Sequence, residues 1–357
     1  MSDLPSGSVP NRSFWSGKRV LLTGQTGFKG AWCALWLAEL GARVTAFALP
    51  PEQGPSLYGD ASVAEVCDSH FIDLRDAASV ADVVKQCRPE IVLHMAAQAL
   101  VRRSVRDPET TWQTNVIGTL NLLNALRDQP DLEAVLVVTS DKVYANDGRG
   151  LAFREADPLG GKDPYSASKA ACDILVHSMA QSYFPAVPVA TVRGGNVIGG
   201  GDFSEDRLAP DCVRAVVSGA PVILRQPKST RPWQHVLDCL CGYLLYAEAL
   251  ARKPDTPRAM NIGPESAHDL PVLAFAEQLL AEMGRPDLLS IQEATYTVEA
   301  GKLAIDASRA RDMLGWRDRL VGIAAIRATA RWYQAWHAHE DMARFTRQEI
   351  TAYQGVE

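Results

Sequence analysis

No run of the 357-residue chain stays apolar for the length of a membrane span, so a helical membrane protein is not expected. Basic charge is also scarce: 36 Lys and Arg stand against 42 Asp and Glu, a net charge of -6. A nucleic-acid surface needs clustered cations to displace counterions, so that class is disfavoured, although one local basic site for a small anion is compatible. The seven cysteines are odd in number and scattered at 33, 67, 87, 172, 212, 239 and 241, which argues against a disulfide framework and for reduced, buried residues. His235, Cys239 and Cys241 come nearest to a metal pattern, but Cys241 lies off the His235–Cys239 helical face and no second cluster completes four ligands, so core packing is expected there. Residues 1–15 have no continuous apolar stretch and read as a polar tail rather than a signal peptide, with the cytoplasm as the expected compartment. Internal repeats and low-complexity linkers are absent.

What is present is an alternation. Arg19-Val20-Leu21-Leu22-Thr23 is a short apolar run ending in glycines, as a buried parallel strand should be, and residues 31–40 have helical length and composition before Gly41. Further strands are expected near 43–48, 70–72, 90–94, 134–139 and 187–192, with helices near 76–87, 108–127 and 165–184. This order predicts an α/β fold, a doubly wound parallel Rossmann sheet. After Arg193 the pattern changes to a Gly-rich loop and helices near 208–218, 236–252, 270–283 and 322–338, which predicts a second, smaller α/β lobe. The expected division is a tail over 1–15, a dinucleotide domain over 16–193 and a substrate lobe over 194–357, with segments free to interleave.

Three constellations carry chemistry. Gly24-x-x-Gly27-x-x-Gly30 joins a predicted strand to a predicted helix, where glycines allow a tight turn and bring backbone N–H groups to a pyrophosphate. The acidic residue that marks NAD at the end of the next strand is missing, no Arg marks NADP, and Asp73-Leu74 is the nearest candidate to meet the adenine. Tyr165 and Lys169 stand four apart on one helical face, a spacing by which an ammonium lowers a phenol's pKa and lets it take a hydroxyl proton. Finally, Thr139-Ser140-Asp141-Lys142 follows an apolar strand, at the sheet end where open α/β folds bind ligands.

The sequence resembles the CDP-glucose 4,6-dehydratases, nucleotide-sugar enzymes of the extended short-chain dehydrogenase/reductase superfamily, from Gly24 to about Tyr353. The resemblance lies in Thr-Gly-Gln-Thr-Gly-Phe-Lys-Gly-Ala-Trp (23–32), His-Met-Ala-Ala-Gln (94–98), Thr-Asn-Val (114–116) and Thr-Ser-Asp-Lys (139–142). It continues in Asp-Pro-Tyr-Ser-Ala-Ser-Lys (163–169), Gly-Asn-Val-Ile-Gly-Gly-Gly-Asp (195–202) and Arg-Pro-Trp-Gln-His-Val (231–236). Lys142 replaces the Glu of dTDP- and GDP-sugar relatives and points to the CDP branch; Gln25 and Gly194 depart from that branch's frequent His and Ala.

The resemblance implies bound NAD, borrowed oxidised and returned oxidised. Its contacts are expected from Gly24, Gln25, Thr26, Gly27, Phe28, Lys29 and Gly30, from Asp73 and Leu74, and from Ala96, Ala97 and Gln98. Asn115, Thr139, Tyr165 and Lys169 complete that set. Tyr165 would be the base at the carbon 4 hydroxyl, tuned by Lys169, with Ser140 holding that hydroxyl. Asp141 would protonate the departing carbon 6 hydroxyl, and Lys142 would remove the carbon 5 proton or stabilise the enolate. Asn196, Arg207, Arg231 and His235 are the expected nucleotide-sugar contacts, no metal is expected, and Trp332, Tyr333 and Trp336 read as packing. The helices near 108–127 and 165–184 resemble those that form a homodimer in this superfamily. Alternatives are a nucleotide-sugar 4-epimerase, a dehydratase of another sugar nucleotide, and a non-catalytic cofactor sensor; intact Asp141 and Lys142 favour elimination.

Overall fold

The structure, a computed structural model, describes residues 7–146, 148, 150–265, 269–292 and 303–355. Residues 12–15, expected in a polar tail, form a helical turn, α1 (Arg12–Trp15), capped by Asn11. Phe14 and Trp15 are buried, and the Trp15 indole donates to Glu248 Oε1 at 2.7 Å. Two adjacent aromatic side chains outweigh the polar residues around them, because their burial removes large apolar surfaces from water.

The earlier half then alternates strand and helix, with α3 added to the expected elements: β1 (Arg19–Thr23), α2 (Phe28–Glu39), β2 (Arg43–Ala48), α3 (Leu57–Asp60), β3 (Asp68–Phe71), α4 (Ala77–Cys87) and β4 (Ile91–His94). Next come α5 (Val101–Arg106), α6 (Pro108–Trp112), α7 (Thr119–Leu126), β5 (Ala134–Val138), α8 (Pro164–Tyr183) and β6 (Val189–Gly194). The helix expected over 108–127 is not continuous: residues 113–118 form a π turn between α6 and α7. Such turns admit one extra residue and recur at functional sites.

Beyond β6 lie β7 (Asn196–Ile198), α9 (Leu208–Ser218), β8 (Val222–Leu224), β9 (Thr230–Arg231), β10 (Trp233–His235), α10 (Val236–Arg252) and β11 (Ala259–Ile262). The chain continues through β12 (Leu270–Pro271), α11 (Val272–Glu282), β13 (Leu289–Ile291), α12 (Ser308–Leu314), α13 (Ile323–His337) and α14 (Met342–Gln354). The main sheet has seven parallel strands in the order β11-β6-β5-β4-β1-β2-β3. β11 therefore returns from the later half to close one edge, and α10 packs beneath the same sheet. Small pairs β7·β10, β8·β13 and β9·β12 build the remainder of that half.

Side-chain alternation along the strands divides the core. Val20, Leu22, Leu93 and Leu136 face α2 and α10, whereas Leu21, Val92, Val135 and Val137 face α4, α7 and α8. The final helix, α14, lies against α2, with Tyr353 edge-on to Trp36 at 5.4 Å. Among the described residues no helix is long and apolar enough to cross a membrane.

Candidate active site

The loop after β1 is shaped by its glycines. Gly24 has φ 88°, and a Cβ there would fall 2.9 Å from the Ala96 backbone nitrogen. At Gly30 a Cβ would meet the Gly24 carbonyl oxygen at 2.0 Å, so helix and turn touch backbone to backbone. Gly27 is the N-cap of α2 and supplies no side-chain cap, which leaves the first-turn N–H groups and the positive end of the helix dipole for an anion. The turn therefore fits a dinucleotide pyrophosphate. Thr26 Oγ1 donates to Leu49 O at 3.0 Å, Phe28 packs near Gly199, and buried Gln25 keeps its amide oxygen unpartnered.

Asp163 caps α8 by accepting from Ser166 N at 3.0 Å, and Pro164 starts the helix, which fixes Tyr165 and Lys169 at its first turns. The expected pairing is corrected here. Lys169 Nζ donates to Val138 O at 3.1 Å, and burial together with the neighbouring Lys29 pushes its ammonium down to about 8. The Tyr165 phenol has Ser140 as its hydrogen-bonding neighbour and is pushed up by burial, not lowered by Lys169.

Ser140 is also the cap of the helical turn 141–143: its hydroxyl donates to Asp141 Oδ1 at 3.0 Å and accepts from Lys142 N at 3.2 Å. Asp141 is 3% exposed and its Oδ2 has no hydrogen-bond partner; a Cβ on Gly195 would lie 3.3 Å from that oxygen. Lys142 is half-buried beside it. A second tyrosine and lysine meet the same region. Lys29 Nζ sits 5.6 Å from the ring centroid of Tyr243, in cation–π range, and burial lowers its ammonium with Asp141 and Asp202 among its charged neighbours. The Tyr243 hydroxyl is fully buried above Gly194, where a Cβ would fall 2.3 Å away; beyond the Cys239 thiol it has no polar neighbour of good geometry. Tyr243 was not expected, since it lies in the apolar run of α10.

Other expected residues are differently employed. Asn115, inside the π turn, gives both amide hydrogens away, to Gln98 O at 3.0 Å and Ser168 Oγ at 2.9 Å, and accepts from Gln98 N at 2.8 Å. The Gln98 side chain is held by Leu100 and Thr111. These two residues shape the loop containing Ala96 and Ala97, and their side chains are already committed. Thr139 Oγ1 turns away to Asp173 Oδ2 and Val192 O, both at 3.2 Å. The Asp73 carboxylate is taken by Arg75, which holds its pKa below the usual range, and Leu74 is buried against Gly118.

On the opposite side Arg207 reaches Asp202 Oδ2 at 3.1 Å, and Asp202 is in turn held through its carbonyl by Tyr333 Oη at 2.5 Å. Arg207 also counts among the charged neighbours of Tyr165 and Lys29, which places it at this centre. Asn196 opens β7 half-buried, paired in register with Trp233, and Arg231 Nη1 donates to Thr230 O at 3.1 Å. His235 is buried and caps α10, its Nδ1 accepting from Leu237 N at 3.3 Å; burial pushes the imidazole down to about 3. Cys239 and Cys241 are buried in the core, and no metal-holding group of three or more ligand side chains occurs among the described residues. Trp332 and Tyr333 are buried packing residues, and Trp336 donates to Asp60 Oδ2 at 3.1 Å.

Comparison with known proteins identifies the family and fold. Residues 20–263 match the model of the NAD dependent epimerase/dehydratase family. The chain is 38% identical over 351 residues to a CDP-glucose 4,6-dehydratase of Salmonella typhimurium, covering 96% of this chain and 98% of that relative. It is 32% identical over 337 residues to a dTDP-glucose 4,6-dehydratase of Xanthomonas campestris pv. campestris, covering 88% and 94%. Among solved structures, a UDP-glucose 4-epimerase of Thermotoga maritima with UDP-glucose superposes with TM-score 0.78 at 20% identity, covering 89% of this chain and 99% of that one. A UDP-glucose 4-epimerase of Thermus thermophilus in complex with NAD gives 0.75 at 25% identity, covering 88% and 98%.

Proposed function

Since the chain belongs to the NAD dependent epimerase/dehydratase family, we propose that it is a CDP-glucose 4,6-dehydratase, converting CDP-glucose to CDP-4-keto-6-deoxyglucose and water. The observation that carries the reaction type is the buried Asp141, capped by Ser140, followed by Lys142 and facing Gly195 with one unpartnered oxygen. A 4-epimerase needs no acid there, because it expels no hydroxyl.

NAD, when bound, supplies the oxidation at sugar carbon 4 and the matching reduction at carbon 6. The Gly24–Gly30 turn and the first turn of α2 are assigned to its pyrophosphate, with Ala96, Ala97 and Lys169 on the nicotinamide side. Tyr165 takes the carbon 4 hydroxyl proton, and Ser140, already the phenol's neighbour, holds that hydroxyl. The lowered Lys169 ammonium remains a cation below about pH 8, while the phenolate that this transfer requires is favoured by the Ser140 hydrogen bond and by Arg207. The carbon 4 ketone acidifies carbon 5, from which Lys142 removes the proton and to which it returns it when carbon 6 is reduced, while Asp141 protonates the carbon 6 hydroxyl as it leaves as water and recovers a proton from the Tyr165 phenol or solvent. Arg207 is assigned to the diphosphate, with Arg231 and Asn196 lining the same entry; Arg is suited to this by its planar fork. His235 shapes that wall through its cap on α10.

The later residues, from 194 onward, form the substrate lobe in this reading, with α10 and β11 given back to the sheet. Exposed Trp112, Ile117, Ile174 and Tyr183 lie on α6, the π turn and α8, which supports a homodimer built on these helices; cytoplasmic residence accompanies the reading. Light scattering should give twice the chain mass, and a monomer at micromolar concentration would remove the dimer. Incubation with CDP-, dTDP-, GDP- and UDP-glucose should give a 4-keto-6-deoxy product, detected by loss of the mass of water, from CDP-glucose foremost. Product from another sugar nucleotide alone would change the substrate, and an epimer without water loss would change the reaction.

A further inference from the structure

His94 ends β4 directly beside Thr23, the last residue of β1, in parallel register. Thr23 Oγ1 accepts two backbone hydrogen bonds, from Met95 N at 3.1 Å and Ala96 N at 2.9 Å, and lies 2.7 Å from His94 Nδ1. With both lone pairs of the hydroxyl filled, its proton goes to Nδ1, which is therefore the accepting nitrogen. The other nitrogen, Nε2, carries the hydrogen and meets Thr119 Oγ1 at 3.0 Å; Thr119 donates onward to Asn115 O at 2.8 Å. From Asn115 the path continues through Nδ2 to Ser168 Oγ at 2.9 Å and from Ser168 to Tyr165 O at 2.8 Å. The Tyr165 amide is pinned separately by Ser104 Oγ at 3.1 Å.

We propose that His94 is a positioning residue which, as the neutral tautomer protonated at Nε2, locks the strand end carrying the Gly24 turn to the helix turn carrying Tyr165. The carbonyls of Asn115 and Tyr165 fix the direction of the later bonds, and because the Thr119 proton goes to Asn115 O, the His94 Nε2 must be the donor to Thr119. A second proton on the ring would place two hydrogens between Nδ1 and Thr23 Oγ1 and break the path at its first step. Burial, with the Lys169 ammonium as the charged group facing the ring, keeps the second proton off and pushes His94 down to about 3. Within the π turn both ends of Asn115 are used, its carbonyl accepting from Thr119 and its amide donating to Ser168.

The functional consequence rests on the assignment of NAD and Tyr165 above, but the tautomer does not need a substrate to be observed. Imidazole nitrogen chemical shifts of the full-length protein should show His94 protonated at Nε2 alone and unchanged from roughly pH 5 to 9, well clear of an ordinary histidine midpoint. Thr119→Val keeps the shape and cuts the path, and Thr119→Ser restores the hydroxyl. NAD affinity measured by calorimetry and kcat should each fall about tenfold or more in Thr119→Val and His94→Leu, and recover in Thr119→Ser, with KM for CDP-glucose within about twofold. If His94→Leu does not fold, the Thr119 pair carries the test. A ring protonated at Nδ1 or titrating near 6.5, or equal NAD affinity in Thr119→Val and Thr119→Ser, would overturn the proposal. An unmodified protein with the expected tautomer but no dehydration of CDP-glucose would sink the substrate assignment and leave the path standing.

Discussion

Beneath the Gly24 turn the buried polar groups Thr23, His94, Thr119, Asn115 and Ser168 all have partners, whereas around the proposed sugar site Asp141 Oδ2 has none and the Tyr243 hydroxyl has only the Cys239 thiol beside it. The first set behaves like a frame: each member completes another's hydrogen bonds, and removing one leaves a buried group unsatisfied at about 1–3 kcal/mol. The second set has been desolvated without compensation inside the chain. Native folds tolerate few such groups, and those that persist are concentrated where a ligand supplies the missing partner. Asp141, proposed to react, thus differs from this particular set in keeping one oxygen without a hydrogen bond.

The sharpest challenge to this contrast is Asp141→Asn. Water loss from CDP-glucose should fall by about 10²–10⁴-fold, while the thermal midpoint moves by no more than about 2 °C; a large loss of stability would place Asp141 with the frame. Next comes Arg193→Met, on the frame side. Arg193 is 3% exposed and grips Asp173 through two bonds of 2.9 and 2.8 Å, and it also reaches Tyr144, so the variant leaves a buried carboxylate without its cation and with the Thr139 hydroxyl as its remaining donor. Urea unfolding should show a cost of about 3–5 kcal/mol. Less than about 1 kcal/mol would mean that the pair is not part of the frame.

A smaller effect tests the floor of the site. Gly194→Ala should cost about 1–3 kcal/mol by overpacking against the Tyr243 hydroxyl. With Tyr243→Phe the nearest remaining atoms are the ring carbon at 3.4 Å and Ile262 O at 3.7 Å, both ordinary contacts, so the double variant should recover most of the loss in urea melts. Additive losses would show that something other than the hydroxyl excludes the methyl group.

The smallest expected effect is one of pH. His94 and His235 stay neutral down to about 3 in the folded chain, against 6.5 for a free side chain. As acid is added the unfolded chain takes their protons first, so their contribution is complete above about 6.5 and is lost progressively toward about 3. His235→Asn retains a capping side chain for α10 and should flatten the fall of unfolding free energy between about pH 6 and 4 by up to one proton. An unchanged slope would show that His235 titrates normally.

Much of this was readable from residue order. The alternating apolar runs place five strands of the sheet and most of the helices, because a buried strand leaves an apolar signal, whereas β3 is a polar edge strand that the expected 70–72 only overlaps. The short strand β11 was not visible, since Ala259–Ile262 carries Asn261 and is placed by pairing with distant β6. α14 was missed for a related reason: its buried face includes Thr346 and Glu349, so the apolar stripe is interrupted. Within the site, Ser140–Lys142, Tyr165 and Lys169 were legible as a spaced set, but the company each keeps was not. Lys169 chooses a carbonyl over the phenol, and Thr139 turns toward Asp173. His94 sat inside a recognised motif whose following residues drew attention to the cofactor, while its own partners are contributed by β1 and α7.

The clasp between Tyr333 and Asp202, with Trp332 filling the space over Gly200 so closely that a Cβ there would come within 1.9 Å, also imposes an order in time. On a nascent chain, β1 to β6 emerge and can pair long before α13 exists. The loop that presents Arg207 can lean early on Trp32 of α2, whose indole donates to Gly200 O at 2.9 Å, but the Tyr333 clasp closes only after α13 has been synthesised, and a contact spanning 131 residues is slow to close. A chain stopped short of Ile323 would carry the glycine turn and Tyr165 but lack the Tyr333 clasp and the Trp332 ring on the wall opposite them, so the reactive centre is completed late.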